Sequence, residues 1–187
     1  MSVPYLAQAA DHEQLEWLGG GIMHVLLDGS RTDGELAMVR QDAVGGAASP
    51  VHVHTSEDEI FVLLRGSGIF WVGEHRYELS DGGVAYLPRN VPHAYRFTSE
   101  AMDVLAICAP AGIENFFRAA GWDLSRPKPD GWEVTPDRMA AAAAATGQTI
   151  LGPPLTADQM IPDTYLTQFR AEAITSASAA GSDRNGE

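Results

Sequence analysis

Residues 45–66 read G-G-A-A-S-P-V-H-V-H-T-S-E-D-E-I-F-V-L-L-R-G, and this stretch decides the fold. His52 and His54 are two apart, so in a strand both rings leave the same face. Thr55 to Asp58 is short, polar and acidic, which predicts a turn. Glu59 to Leu64 is rich in β-formers and runs into Arg65-Gly66-Ser67-Gly68, a second turn signal. Glu59 heads that strand and is expected beside the histidines across a hairpin. Downstream, G-G-V-A-Y-L-P-R-N-V-P-H-A-Y over residues 82–95 supplies His93 directly after a proline turn. Three imidazoles and one carboxylate make a ligand set for a divalent first-row metal.

Each piece also has an ordinary reading. A His-x-His pair can fall on a strand by accident, Glu57-Asp58-Glu59 can be a solvated turn, and His93 can be a hydrogen-bonded structural histidine. Their combination, framed by glycine and proline turns in barrel-like order, favours one metal site at the mouth of a small barrel. Glu57 competes with Glu59 as the carboxylate ligand, but lies deeper in the turn. His12, His24 and His75 have no histidine or carboxylate at a matching strand spacing and read as incidental.

Working outward, short apolar runs alternate with turns. Ile22–Leu27, Glu35–Gln41, Ile69–Val72, His75–Leu79, Val84–Leu87, His93–Phe97 and Asp103–Cys108 read as further strands, with Gly73-Glu74 as a tight hairpin signal. The pattern predicts an all-β, antiparallel barrel of jelly-roll type with its core at about 20–110. Beyond Gly112 the character shifts. Glu114–Ala120 reads as a short helix ending at Gly121. Thr135-Pro136-Asp137 is a helix start, with threonine as cap and proline at the first position, and the alanines at 140–145 continue it. Thr156-Ala157-Asp158 begins a further turn. A single domain is expected over 1–170, with a helical C-terminal extension over about 113–170 packed around the barrel. The small, polar tail at 171–187 is expected to be disordered.

The two histidine segments resemble the paired motifs of the cupin superfamily. The first, G-x5-H-x-H-x4-E-x6-G, is met by Gly46, His52, His54, Glu59 and Gly66, and its spacing selects Glu59 over Glu57. The second, G-x5-P-x-G-x2-H-x3-N, is met by Gly82, Pro88 and His93. Asn90 stands where the family has a glycine and Phe97 where it often has asparagine. Asparagine tolerates the left-handed conformation better than most residues, so that turn is expected to survive. The runs L-P-R-N-V-P-H-A-Y-R-F and A-P-A-G-I-E-N-F-F-R-A-A-G are similar to those of single-domain bacterial quercetinases, which are flavonol dioxygenases. That resemblance implies a metal-dependent dioxygenase acting with O2 on a flavonol or similar enolisable aromatic. In it Glu59 serves as both ligand and base, and His52, His54 and His93 hold the metal.

The resemblance raises nickel, cobalt and manganese beside iron, and the ligand set also suits zinc. The same resemblance implies a homodimer. Other classes remain open. One is a metal-dependent isomerase, decarboxylase or cyclase. Another is a non-catalytic small-molecule sensor, against which counts the lack of an attached DNA-binding domain. Tyr95 and Phe97 alternate with His93 and are candidate pocket residues. Phe116, Phe117 and Trp122 are candidates to cover the mouth or simply to pack the helix.

The 187 residues suffice for one domain with a substantial core. A net charge of −13 argues against nucleic acid or an anionic membrane surface as partner. No apolar run approaches the length of a bilayer span. The N-terminal M-S-V-P-Y-L-A-Q lacks a basic region followed by an apolar stretch, so no secretory signal is expected and a cytoplasmic location is. Cys108, the one cysteine, lies in an apolar run and reads as a small buried hydrophobe.

Overall fold

In the computed structural model, which describes residues 4–167, the apolar runs become strands wherever alternation can face a core. Ten strands come first: Glu13–Glu16 (β1), Ile22–Leu27 (β2), Ala37–Val44 (β3), Val51–His54 (β4), Asp58–Arg65 (β5), Gly68–Val72 (β6), His75–Leu79 (β7), Val84–Leu87 (β8), His93–Phe97 (β9) and Ala101–Ala109 (β10). Helix α1 (Ile113–Ala120), β11 (Trp122–Asp123), helix α2 (Pro136–Ala145) and β12 (Gln148–Gly152) follow. Two antiparallel sheets result, in the orders β11-β1-β2-β3-β10-β5-β8 and β12-β4-β9-β6-β7. They form an all-β jelly roll, as expected, built from two hydrogen-bonded sheets rather than one closed ladder.

The period of two decides what each strand buries. On β3, Ala37, Val39, Gln41 and Ala43 turn inward; on β10, Met102, Val104, Ala106 and Cys108 do so. With Phe61 and Leu63 of β5 and Phe70 and Phe97 from the opposite sheet, they fill the space between the layers. β6 is buried on both faces. Its Ile69 and Trp71 point away from the main core, where Leu155, Ile161 and Leu166 cover them. The covering segment is pinned by Trp71 Nε1 donating to Gln159 O (2.8 Å) and Arg96 Nε donating to Leu155 O (2.7 Å).

The helices obey their local signals. Ile113, Phe117 and Ala120 of α1 are buried at helical spacing, and the helix ends where Gly121 N–H donates to Phe117 O. Buried Glu114 accepts from the backbone N–H of Gly29 and Gly112, fixing the start of α1 against the loop after β2. Thr135 caps α2 by accepting from Arg138 N–H, with Pro136 at the first position. A turn falls at 157–158, and residues 163–167 are helical.

Three expectations change. Strands β1, β11 and β12 were not anticipated, so the C-terminal extension is mixed rather than helical. β4 and β5 do not form a hairpin: they belong to different sheets, and the turn between them crosses from one layer to the other. β3 runs Ala37–Val44 rather than starting at Glu35. The tail expected to be disordered at 171–187 lies outside the described residues. No helix among the described residues is long and apolar enough to cross a membrane.

Candidate metal centre

β4 and β9 are neighbours, with His52 opposite His93. This pairing brings three imidazoles onto the inner face of the five-stranded sheet, because His54 shares the face of His52. Glu59 arrives from β5 on the facing sheet, where Cys108 of β10 is its direct partner. Two local devices hold the arrangement. Asn90 sits at φ 65°, the left-handed conformation expected of it, and its N–H donates to His54 O (2.8 Å), tying the His93 turn to β4. Gly66, at φ 101°, leaves no room for a side chain: a Cβ there would overlap Met102 Sδ and lie 2.7 Å from Ala101 O.

The four donor atoms lie within 4.8 Å of one another. Glu59 Oε2 is 3.8 Å from His54 Nε2 and 3.7 Å from His93 Nε2. Each imidazole is oriented through its other nitrogen. Nδ1 of His52 bonds Pro50 O (2.9 Å) and Nδ1 of His93 bonds Val91 O (2.9 Å). A carbonyl only accepts, so these Nδ1 atoms carry the proton and Nε2 presents a lone pair to the centre. Nδ1 of His54 bonds Glu57 Oε1 at 2.6 Å. Of the two carboxylates, Glu59 faces the other three donors and Glu57 holds His54 from behind. Among the described residues, Nε2 of His54 and of His93 are buried without a hydrogen-bond partner, as nitrogens that ligate a metal would be. The donor set fits one divalent transition metal.

Charge balance points the same way. Burial drives His52 down to about 3, reinforced by the neighbouring His54, so it is neutral near pH 7. Burial, with His52 and His54 beside it, also holds His93 well below its usual range. Both are ready to ligate. Burial lowers His54 too, but the Glu57 hydrogen bond and the charges of Glu59 and Glu57 outweigh it, leaving His54 raised. Burial pushes the Glu59 carboxyl up, against the opposing pull of His54. A buried carboxyl in this state gains from a cation at the centre.

The centre is buried between the sheets rather than sitting at an open mouth, and it opens into an apolar cavity of about 50 Å³. Trp17 and Leu18, Phe116 and Phe117 of α1, Met139 of α2, and Gln148 with Ile150 of β12 form the cover. Tyr95 and Phe116 line this cavity. Phe97 does not: it stacks under Tyr95 (4.8 Å between rings) and is 1% exposed, in the core. Alternation put it on the face of His93, but at a depth that other side chains fill. Trp122 lies elsewhere, against Trp132 and Arg126. None of His12, His24 and His75 joins the centre. His24 does have a carboxylate, Asp42 on β3, in a hydrogen bond to its Nε2 (2.9 Å) away from the cavity. Sequence reasoning missed Trp17, Gln41, Gln148 and Ile150. The T-I-L run after Gly147 was the available signal for β12, and the alternation of Leu15 with Trp17 was the one for β1.

Residues 39–109 match the family described as the Cupin domain. A quercetin 2,3-dioxygenase of Bacillus subtilis is 27% identical over 145 residues, covering 76% of this chain and 43% of the relative. An uncharacterised protein of Aquifex aeolicus is 35% identical over 60 residues, covering 32% of this chain and 50% of that protein. The chain therefore spans about half the length of the curated relatives it matches, or less. Among solved structures, KdgF from Halomonas sp. superposes with a TM-score of 0.53 at 16% identity, covering 59% of this chain and 98% of that one, which shows a shared fold.

Proposed function

The chain belongs to the cupins through its domain at residues 39–109, and on that footing we propose that it is a metal-dependent dioxygenase acting with O2 on a flavonol or similar enolisable aromatic substrate. One observation carries the chemistry. Three imidazoles, two of them held neutral by burial, and one carboxyl meet in a buried centre, open on one side to an apolar cavity. The similarity to a quercetin 2,3-dioxygenase supports the substrate class.

His52, His54, Glu59 and His93 would hold the ion, and iron, nickel, manganese, cobalt and zinc all suit that donor set. When bound, such an ion lowers the pKa of a hydroxyl placed against it. Glu59 would take up the proton of that hydroxyl on Oε2, the oxygen that faces His54 and His93, by moving between holding the ion and accepting the proton. Its buried setting, which raises its affinity for a proton, suits a base working near neutral pH. Glu57 keeps His54 in place. Phe61, Tyr95 and Phe116 offer aromatic surface to a flat ring system and keep water away from it.

The small cavity favours a second reading. Sites for drug-sized ligands run to about 300–1,000 Å³, so a flavonol requires the cover of α1, α2 and β12 to move outward. A compact substrate would enter with less movement, and a non-oxygenase reaction (isomerisation, decarboxylation or cyclisation) suits it. Oxygen uptake by the fully metallated protein against a panel of flavonols decides between them. Uptake that disappears in Glu59→Gln at unchanged metal content supports the dioxygenase and the base. No uptake by the wild type selects the second reading, and near-native uptake by Glu59→Gln removes the base assignment.

A further inference from the structure

Four buried side-chain polar atoms have no hydrogen-bond partner among the described residues: Nε2 of His54, Nε2 of His93, Nε1 of Trp17 and Nε2 of Gln148. The first two belong to the metal centre. The other two are not metal ligands, yet both residues line the same cavity. Folded proteins satisfy nearly all buried polar groups, so unmet donors gathered in one place call for an explanation.

The two donors come from opposite layers. Trp17 follows β1 of the seven-stranded sheet, is 4% exposed, and packs edge-on against Phe116 and Phe117 (5.6 and 4.9 Å between rings). That packing fixes the direction of its N–H. Gln148, 7% exposed, opens β12, where its register places it opposite His54. Cross-strand partners share a face, so its amide projects beside the metal centre. An indole N–H only donates, and an amide –NH2 likewise requires an acceptor. Most of the remaining lining is apolar: Met23, Val39, Phe61, Val104 and Ile113 among others. In a purely structural role these two side chains would be better replaced by apolar ones, because an unmet buried donor lowers stability.

We propose that Trp17 Nε1 and Gln148 Nε2 are substrate-binding donors that take up two acceptor oxygens of an otherwise apolar ligand. One oxygen lies beside His54 and the other lies against α1. The ligand class is a hydroxy-ketone, with oxygens at two places on its rim and no basic group. Its identity as a hydroxy-ketone rests on the flavonol reading above; the donor pair itself rests on the unmet atoms.

Gln148→Met and Trp17→Phe delete one donor each while keeping a side chain of related shape. Metal-loaded wild type and both variants are titrated by calorimetry with maltol, 3-hydroxyflavone and quercetin, hydroxy-ketones of increasing size. Each variant is expected to bind on the order of tenfold more weakly than wild type. Gln148→Met also carries a stability arm, since Trp17→Phe loses packing area as well as its donor. Without ligand, Gln148→Met should melt at the wild-type temperature or above it. Equal affinities or a lower ligand-free melting temperature for Gln148→Met overturns the donor pair, and no binding of any of the three by the wild type overturns the hydroxy-ketone as its ligand. Oxygen uptake on the same samples separates the two ideas. Weakened binding in the variants with no uptake by the wild type keeps the donors and removes the dioxygenase, while uptake with unchanged affinities does the reverse.

Discussion

His54 Nδ1 lies 2.6 Å from Glu57 Oε1, with both residues almost wholly buried. The contact makes Glu57 part of the centre without touching its middle. It fixes the ring that Glu59 faces from the other sheet, and it makes His54 a better electron donor through Nε2. Glu57→Ala should therefore weaken metal binding by roughly 10–100-fold while the stoichiometry stays at one ion per chain. Competition against a chelator of known affinity measures this. An unchanged affinity would mean that the His54 ring is held by packing alone.

The four candidate ligands straddle the two layers, three on β4 and β9 and one on β5. An ion bound there cross-links the sheets in the folded state only, so it adds stability by mass action. At a free concentration 100 times its dissociation constant the gain is about 2.7 kcal/mol. Chelation should lower the melting temperature, and stepwise return of the metal should restore it. In Glu59→Ala, which cuts the link to the seven-stranded sheet, the metal-dependent part of the shift should shrink. A protein that binds one ion with no change in melting temperature would contradict the bridging arrangement.

What was legible in the sequence is what local signals encode. His52, His54 and His93 are set by strand alternation and by the turn at Asn90, whose left-handed φ an asparagine tolerates. Glu59 joins the three histidines by another geometry than the expected one: the turn before it changes sheets instead of closing a hairpin. Such a crossing leaves no local mark, because turn composition does not say which layer the next strand joins. β12 pairs with β4 across about half of the chain, and nothing near Gln148 announces that partner. Phe97 failed for a related reason. Alternation gives the face of a strand and not the depth, and the cavity ends at Tyr95.

Cys108 shows the same gap between burial and environment. The sequence gives an apolar run, whereas the register with β5 places its thiol opposite Glu59, with Sγ 3.8 Å from Oε1. Burial pushes the thiol well above its ordinary value, and the Glu59 charge adds to this. The thiolate is the reactive form, so the native protein should resist alkylation at neutral pH. One thiol per chain should become reactive once the protein is unfolded in denaturant. Rapid native labelling, quantified by mass spectrometry, would show that β10 opens locally at the centre.

Arg118 of α1 connects that helix to the seven-stranded sheet by two carboxylates, Glu13 through Nε (2.8 Å) and Asp28 through Nη2 (2.7 Å). The helix carries Phe116 and Phe117 over the cavity, so the anchor bears on the cover as well as on folding. Partial burial raises the Asp28 carboxyl, but the Ser30 hydroxyl bond and Arg118 outweigh it and hold Asp28 below its ordinary 3.8. A carboxyl lowered in the folded state stabilises the fold fully above its unfolded value. That contribution is lost as the pH falls through the lower folded value. Asp28→Asn should then cost about 0.5–1 kcal/mol at pH 7, the scale of a partly exposed ion pair. The gap between variant and wild type should hold down to about pH 5 and close below the ordinary aspartate range. Urea midpoints at a series of pH values test the sign directly, because a gap that widened on acidification would require Asp28 to be raised in the native protein.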